Sequence, residues 1–448
     1  MTRRLALASL LLFAFCNRPS DKGPEYSGGE TTVFTTTREA FSSPASNLAH
    51  ETLPDFTFGH RLFTTSWVIA PASLTSFDGL GPVFNRVSCS GCHLKDGRGQ
   101  PPEHYGDSMD SMLVRVSIPG QDSNGGPKPH PYYGDQINDR AILGAVAEGR
   151  VLIRYTEKPG KFPDGTKFSL RVPIYEFKEM AKGSKGLLFS PRVAPAVFGN
   201  GLLEAISEET LLALSRDQAK SGTVRGVPNY VHDAVTGKRA IGRFGWKANV
   251  SNLTHQSAGA AAGDMGITNS IFGHENMGPE QHQDFLDGGK PEMTDAFLAK
   301  LVFYTRTLAV PARRVTPESQ AGEKLFASSG CVACHIPTLQ TSRSEVAEVS
   351  NQVIHPYTDL LIHDMGEGLA DGRQDFQANG RQWRTAPLWG IGLLKTVNRH
   401  EFLLHDGRAR GMEEAILWHD GEAAVSRNNY MNLSREQRQS LIQFLKSL

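Results

Sequence analysis

Two hydrophobic patterns divide this chain of 448 residues. Apolar positions at helical spacing dominate. They predict an amphipathic helix over 294–308, a helix over 317–326, and a final helix that starts at the capping-box pair Ser434 and Gln437 and runs to the end of the chain. Between about 110 and 180 the pattern changes to short β-type runs separated by Gly, Pro and Asp clusters, namely 112–118, 151–155 and 168–172. We therefore expect a mainly α protein with a β-rich insertion at about 105–190.

The N-terminus carries a strongly apolar run over residues 5–15, which follows two arginines and ends in polar residues. This length is typical of a secretory leader and too short to span a bilayer, so we expect 1–16 to be a signal peptide. Cys16 suggests lipoprotein processing with a lipid anchor, whereas Phe15 stands where that processing favours a small residue. Lipid attachment therefore stays open. Residues 17–54 are predicted to be a tether or surface coil.

The balance of charged residues argues against a nucleic-acid-binding protein. Lys+Arg and Asp+Glu both number 47, so the formal net charge is zero, and the chain has no basic run or tail. A general nucleic-acid binder is not expected from such a charge distribution.

Four of the five cysteines belong to two C-x-x-C-H pentads, which are Cys89-Ser-Gly-Cys92-His93 and Cys331-Val-Ala-Cys334-His335. In this motif the two thiols add to the vinyl groups of a haem, and the histidine becomes an axial ligand of the iron. A zinc site would require the two distant pairs to meet while both histidines stay idle. A thioredoxin-like redox pair would lie in a βαβ pattern, and neither pentad does. We therefore predict two covalent c-type haems in an exported, periplasmic protein.

A repeat follows the pentads. In each half an R-x-x-P motif is followed, 18 residues after its proline, by a residue that opens a predicted helix. The prolines are Pro228 and Pro387, and the residues that follow them are Trp246 and His405. The repeat predicts two related haem domains, at 55–310 with the β-rich insertion and at 311–448.

The motifs around this repeat resemble those of a known superfamily. The residues that carry the likeness are Phe-Gly-Trp246-Lys-Ala, His363-Asp-Met-Gly, the segment 383–390, and the segment 402–419 with its His-Asp-Gly turn. They resemble the bacterial dihaem cytochrome c peroxidases and dihaem maturases, and within that superfamily the di-haem oxidoreductases. The resemblance implies two cytochrome c-like haem domains, hydrogen peroxide as substrate, and a small cytochrome or cupredoxin as electron donor.

The resemblance also implies roles for single residues. The residue 14 positions after His405 is His419, which would be the second axial ligand of the His335 haem, with Met365 as a weaker rival. Trp246 would carry electrons between the haems, and Gln256, ten positions later, would hydrogen-bond bound peroxide. Asp264 stands near the superfamily's distal glutamate position and would act as the acid–base group.

Two features of the superfamily match less well. The loop histidine that closes the first haem could be His104 or His255, and this choice stays open. A calcium ion between the haems would use Asn229, but His400 and Phe402 occupy the other ligand positions, so calcium is only weakly expected.

The sequence thus predicts a dihaem oxidoreductase that reduces peroxide at the His93 haem with electrons from the His335 haem. Two alternatives remain. The same oxidised state could attack a protein or thiol side chain, or the chain could be an electron-transfer cytochrome without catalysis.

Overall fold

The computed structural model describes residues 20–281 and 289–448. The predicted signal peptide 1–16, with the anchor at Cys16, lies outside these residues. No helix within the described ranges combines the length and the apolar character needed to cross a membrane.

The prediction of a mainly α fold is wrong. The described residues are 30% helical and 19% strand, with several small sheets. The difference arises because the short β-type runs extend when they pair. The run 151–155 becomes part of β6 (Arg150–Lys161), and 168–172 becomes part of β7 (Lys167–Lys178). Further short strands also pair in the C-terminal half.

The described residues contain ten α-helices. They are α1 (Leu53–Thr64), α2 (Asn200–Glu204), α3 (Glu208–Ser221), α4 (Leu253–Met265), α5 (Asp295–Thr307), α6 (Pro317–Ser328), α7 (Leu394–Val397), α8 (Met412–Trp418), α9 (Ala424–Met431) and α10 (Arg435–Ser447).

The strands of the same residues are short apart from β2, β6 and β7. They are β1 (Val83–Phe84), β2 (Met112–Gln121), β3 (Pro127–Lys128), β4 (Gln136–Ile137), β5 (Arg140–Ala141), β6, β7, β8 (Leu188–Val193), β9 (Tyr230–Asp233), β10 (Lys238–Ile241), β11 (Leu339–Gln340), β12 (Val353–Ile354), β13 (Ile362–Asp364) and β14 (Gln382–Arg384).

The predicted starts of the helices at 294 and 434 are confirmed, and both are capped by a side chain. Thr294 caps α5 by accepting a hydrogen bond from the Phe297 amide. Ser434 and Gln437 form the expected reciprocal capping box at the start of α10. These ends depend on neighbouring residues only, which is why the sequence alone could predict them.

The insertion forms two antiparallel units. The first half of β2 pairs with β8 and also, at Val114 and Arg115, with β4, and its second half pairs with β3. Strands β6 and β7 form a hairpin paired over its full length. This hairpin packs on the C-terminal half. The Arg171 guanidinium donates to the carbonyls of Gly407 and Arg408, and the Tyr175 hydroxyl donates to Asp406. The insertion is therefore part of the packing between distant segments.

The helix before each pentad crosses a later helix of its own half at a glycine. In α1, a side chain at Gly59 would collide with the Lys300 carbonyl of α5. In α6, a side chain at Gly322 would collide with the Ser440 carbonyl of α10. The repeated close crossing agrees with the predicted internal repeat. Buried apolar residues from both halves join one core, and the domain boundaries themselves stay a prediction.

Glu148, a fully buried residue of the insertion, provides a pH test of the fold. Its carboxylate accepts from the Asn138 amide at 2.6 Å, and burial raises the pKa from 4.5 to about 9. The folded state therefore retains a proton that the unfolded chain loses, so this contribution to stability is complete below pH 4.5 and is lost as the pH rises towards 9. We expect Glu148→Gln, which mimics the protonated acid, to raise the melting temperature at pH 8 and leave it unchanged at pH 4.

Thermal unfolding followed by circular dichroism at both pH values would measure this difference. The exposed Glu345→Gln is the matched control and should change neither value. An equal effect of Glu148→Gln at both pH values would contradict the assignment.

Candidate functional site

Both pentads line one interior cavity of about 880 Å³. This volume lies within the range of about 300–1,000 Å³ that is usual for ligand and cofactor pockets. The pentad residues that line it are Cys89, Cys92, His93, Cys331, Cys334 and His335. The sequence separates the pentads widely, and the fold brings them to the same space.

The two pentads adopt the same local structure. Each begins with a 3₁₀ turn, Cys89–Gly91 in the first and Cys331–Ala333 in the second. In each, the histidine amide donates to the carbonyl of the first cysteine at 3.0 Å. A single tight turn therefore places two sulfurs and one imidazole on the same side of the chain.

The pentad histidines are oriented as metal ligands are. His93 Nδ1 lies 2.7 Å from the Pro195 carbonyl, and His335 Nδ1 lies 2.9 Å from the Tyr357 carbonyl. A backbone bond at Nδ1 fixes the ring and leaves Nε2 available for a metal. Burial lowers the pKa of both histidines to about 4, so each ring is neutral at physiological pH, as metal binding requires.

The four pentad cysteines are half-buried and form no disulfide with one another. Burial raises the pKa of Cys89, Cys92 and Cys331 to about 12 and also raises that of Cys334. Reactive redox cysteines have lowered values, so a thioredoxin-like role does not fit these surroundings.

Cys334 also lies near Asp359 and His363, a group that could hold a metal ion. His363 is already engaged on both nitrogens, by Asp359 at 2.8 Å and by Glu422 at 2.9 Å. Burial opposes its charge, but the hydrogen bonds to Asp359, Cys334 and Glu422 raise its pKa to about 12. A protonated imidazole cannot bind a metal, so we assign this group to an ion-pair cluster beside the second pentad.

His419 lies at the end of α8, where its Nδ1 is 2.7 Å from the Ala415 carbonyl and its Nε2 is left available. His419 lines the cavity. Burial lowers the pKa of His335, the hydrogen bond with Tyr357 raises it, and His419 lowers it further. The fold thus brings both histidines to the same cavity. Met365 lines the same cavity.

The two candidates for closing the first site are placed differently. His255 lines the cavity, with its Nδ1 accepting from the Ala234 amide at 3.3 Å. His104 is exposed in a turn held by Asp107 and is not among the described residues that line the cavity.

The predicted catalytic residues all line the cavity. Trp246 is buried, and its indole N–H donates to the Val193 carbonyl at 2.8 Å. Gly245, directly before it, has a φ of +75°, which lets the chain turn sharply at this point. Gln256 and Asp264 lie eight residues apart on α4, and this spacing puts them on one face.

Asp264 is held by the insertion. Its Oδ1 accepts from Gln136 Nε2 of β4 at 3.0 Å. Burial raises the pKa of Asp264, and nearby Arg115 of β2 acts in the opposite direction. Sequence reasoning missed both insertion residues. Arg115 could have been noticed as a charge between Val114 and Val116 of an apolar strand.

Buried arginines make the cavity suitable for an anionic cofactor. The Arg98 guanidinium donates to the carbonyls of Phe402 and Leu404, and Arg384 donates to those of Gly245 and Thr385. Burial lowers the pKa of Arg98 to about 9 and that of Arg384 to about 10. Neither side chain hydrogen-bonds a carboxylate among the described residues, so the propionate groups of a haem fit these positions.

Asn229, the residue predicted to bind calcium, is already engaged in hydrogen bonds within the protein. The Asn229 side chain donates to the carbonyls of Lys247 and Asp375 and accepts from the Gln377 amide. Beside it lies the fully buried ammonium of Lys247, 2.7 Å from Asp371 Oδ1 and from the Arg373 carbonyl and 2.9 Å from the Asn379 carbonyl. An ammonium thus fills an oxygen-lined position, and calcium stays an untested prediction.

A family model described as "Di-haem oxidoreductase, putative peroxidase" matches residues 23–448, which is nearly the whole chain. A comparison of the chain with curated proteins found no match.

The Lys247–Asp371 pair should contribute strongly to stability. Its side chains are 0% and 2% exposed, so Lys247→Met would leave a buried carboxylate without its cation. We expect a loss of about 3–5 kcal/mol in the free energy of unfolding, measured by urea denaturation.

Two variants sharpen this test. Lys247→Met combined with Asp371→Asn removes both charges and should recover much of the loss. Lys95→Met breaks the exposed pair with Glu39 and should cost only about 0–1 kcal/mol. Equal losses for Lys247→Met and Lys95→Met would contradict the interpretation.

Proposed function

The chain belongs to the di-haem oxidoreductase family, and from this we propose that it reduces hydrogen peroxide to water with electrons from a small donor protein. The observation that carries the proposal is the shared cavity. His93, Trp246, Gln256 and Asp264 all line it together with the second pentad. An acid–base group, a hydrogen-bond donor and an electron path thus lie around one cofactor-sized space.

Each pentad would hold one c-type haem through two thioether bonds and one histidine. Cys89, Cys92 and His93 would hold the first haem, and the residues of the second pentad would hold the other. The free thiols and the neutral, oriented histidines support this attachment. When bound, haem supplies an iron that binds peroxide and exchanges single electrons.

The second site would be closed by His419. Its position near His335, with Nε2 available, supports a pair of histidine ligands. Two imidazoles would leave no open position at that iron, so this site would receive and pass electrons. Gln256 and Asp264 would serve the first site, where peroxide would react.

The protein groups would move protons and orient the substrate. Asp264 would take a proton from the incoming peroxide and return it to the departing oxygen, which a carboxyl group with a raised pKa does well. The Gln256 amide would hydrogen-bond the bound oxygen. In total, hydrogen peroxide, two protons and two electrons give two molecules of water. The electrons come from a small cytochrome or cupredoxin.

We place this reaction in the periplasm. The support is the apolar N-terminal run with its arginines, together with two pentads of the kind that are loaded outside the cytoplasm. A lipid on Cys16 would anchor the enzyme to a membrane surface.

The proposal is tested on purified protein carrying both haems. We expect the protein, once reduced by one electron, to consume peroxide and oxidise a donor cytochrome at two electrons per peroxide. Asp264→Asn should lower the rate by about 10²–10⁴-fold, because it removes the acid–base group. Wild-type activity should fall as acid protonates Asp264, whose raised pKa moves this loss to higher pH.

The exposed Asp217→Asn is the control and should keep the wild-type rate and pH profile. Two low-spin haems that ignore peroxide in every redox state would contradict the proposal and favour a plain electron-transfer cytochrome. If peroxide is consumed while thiols or protein side chains are oxidised and the donor cytochrome is not, the protein would instead be an enzyme that oxidises such side chains.

The ligand at the second site can be tested separately. We expect His419→Met to give the absorption spectrum of a His/Met haem and to raise the reduction potential, because a thioether favours reduced iron. Met365→Leu should leave both properties unchanged. The reverse result, with only Met365→Leu changing the spectrum, would make Met365 the ligand.

A further inference from the structure

Trp383 and His405 form a stacked pair inside the cavity. Their ring centroids are 3.6 Å apart, the rings are inclined by only 10°, and both side chains are buried. The Trp383 indole N–H donates to the Leu369 carbonyl at 2.9 Å, which fixes its orientation. Both residues line the cavity that holds the two pentads.

One end of this pair reaches the second pentad. Trp383 lies on β14 directly opposite His363 of β13. His363 Nδ1 in turn lies 3.6 Å from Cys334 Sγ. His363 therefore connects the stacked pair to Cys334, whose sulfur would carry the second haem.

The other end reaches the first pentad. The Val193 amide donates to the His405 carbonyl at 2.8 Å. Val193 is the last residue of β8, and two residues after it the Pro195 carbonyl lies 2.7 Å from His93 Nδ1. Hydrogen bonds and a short stretch of backbone thus connect the stacked pair to the first axial histidine.

Trp246 is tied into the same unit at two points. Its carbonyl accepts from the Arg384 amide at 2.9 Å, directly beside Trp383. Its indole N–H donates to the carbonyl of Val193, the residue that also holds His405. The three rings are therefore held in a fixed arrangement.

Cations lie against two of these rings. The Lys247 ammonium is 4.5 Å from the centre of the Trp383 ring, and the Arg98 guanidinium carbon is 4.8 Å from that of Trp246. A nearby positive charge makes removal of an electron from a ring less favourable. Such rings suit the passage of electrons better than the storage of an oxidising equivalent.

We propose that Trp383 and His405, together with Trp246, form a three-ring bridge that carries electrons from the second haem site to the first. The inference rests on the proposed function and adds two residues to its electron path. Each passage moves one electron from the second haem to the first. No bond forms or breaks and no proton moves, because the indole N–H groups and the uncharged imidazole keep their protons. Two passages supply the two electrons of one peroxide.

The test uses protein carrying both haems, in the absence of peroxide. A flash-activated photoreductant injects one electron, and absorbance follows its redistribution between the two haems. We expect Trp383→Phe to slow this redistribution several-fold or more, with the haem content and both spectra unchanged. Trp389→Phe is the matched control, since Trp389 is also a buried tryptophan that lines the same cavity but is not one of the three rings. It should redistribute electrons at the wild-type rate.

A second variant guards against loss of folding in the first. His405→Leu has a similar volume, removes the stacked ring, and should also slow redistribution. Wild-type rates in both Trp383→Phe and His405→Leu would overturn the bridge. Because no peroxide is present, this result is independent of the proposed activity. A protein that passes electrons through the bridge but ignores peroxide would refute the activity alone.

Discussion

The rest of the site depends on the contacts that the buried Lys247 ammonium makes with Asp371 and with two backbone carbonyls. Lys247 follows Trp246 in the chain, binds Asp371 and two carbonyls of the loop at 373–379, and lies against the Trp383 ring. Distant parts of the sequence therefore meet at one charge. Burial lowers the pKa of Lys247 to about 8, with Asp371 acting to keep it protonated. A charge in such a place is costly unless every partner is in position, so this contact tolerates few alternative arrangements.

Burial also controls the chemistry of the other groups around the cavity. It leaves His93 and His335 neutral and therefore able to bind a metal, and it raises the pKa of the four pentad cysteines. The same low polarity makes arginines such as Arg98 and Arg384 unfavourable unless an anion meets them. As proposed, a haem at each pentad would satisfy these requirements together, because the histidines would hold its iron, the cysteines would attach its vinyl groups and the arginines would neutralise its propionates.

The two halves share a local design and differ in what surrounds it. Each has a helix that crosses another at a glycine, then a pentad with a backbone-bound histidine. The first half receives Gln136 and Arg115 from the insertion, which surround Asp264. The second half receives His419 from its own helix α8. This difference in surroundings, and not in the pentads, supports the proposal of one site that reacts with peroxide and one that passes electrons.

The sequence by itself determined the features that depend on neighbouring residues. The pentads and the capping box at Ser434 and Gln437 follow from spacing over a few residues of chain. Only the tertiary structure decided the rest. Strand pairing is not local, so the extent of β6 and β7 and the mixed α and β content could not be read from the short runs. The stacking of Trp383 on His405, the hold of Gln136 on Asp264 and the position of Lys247 join residues far apart in the sequence, and no local pattern specifies such contacts.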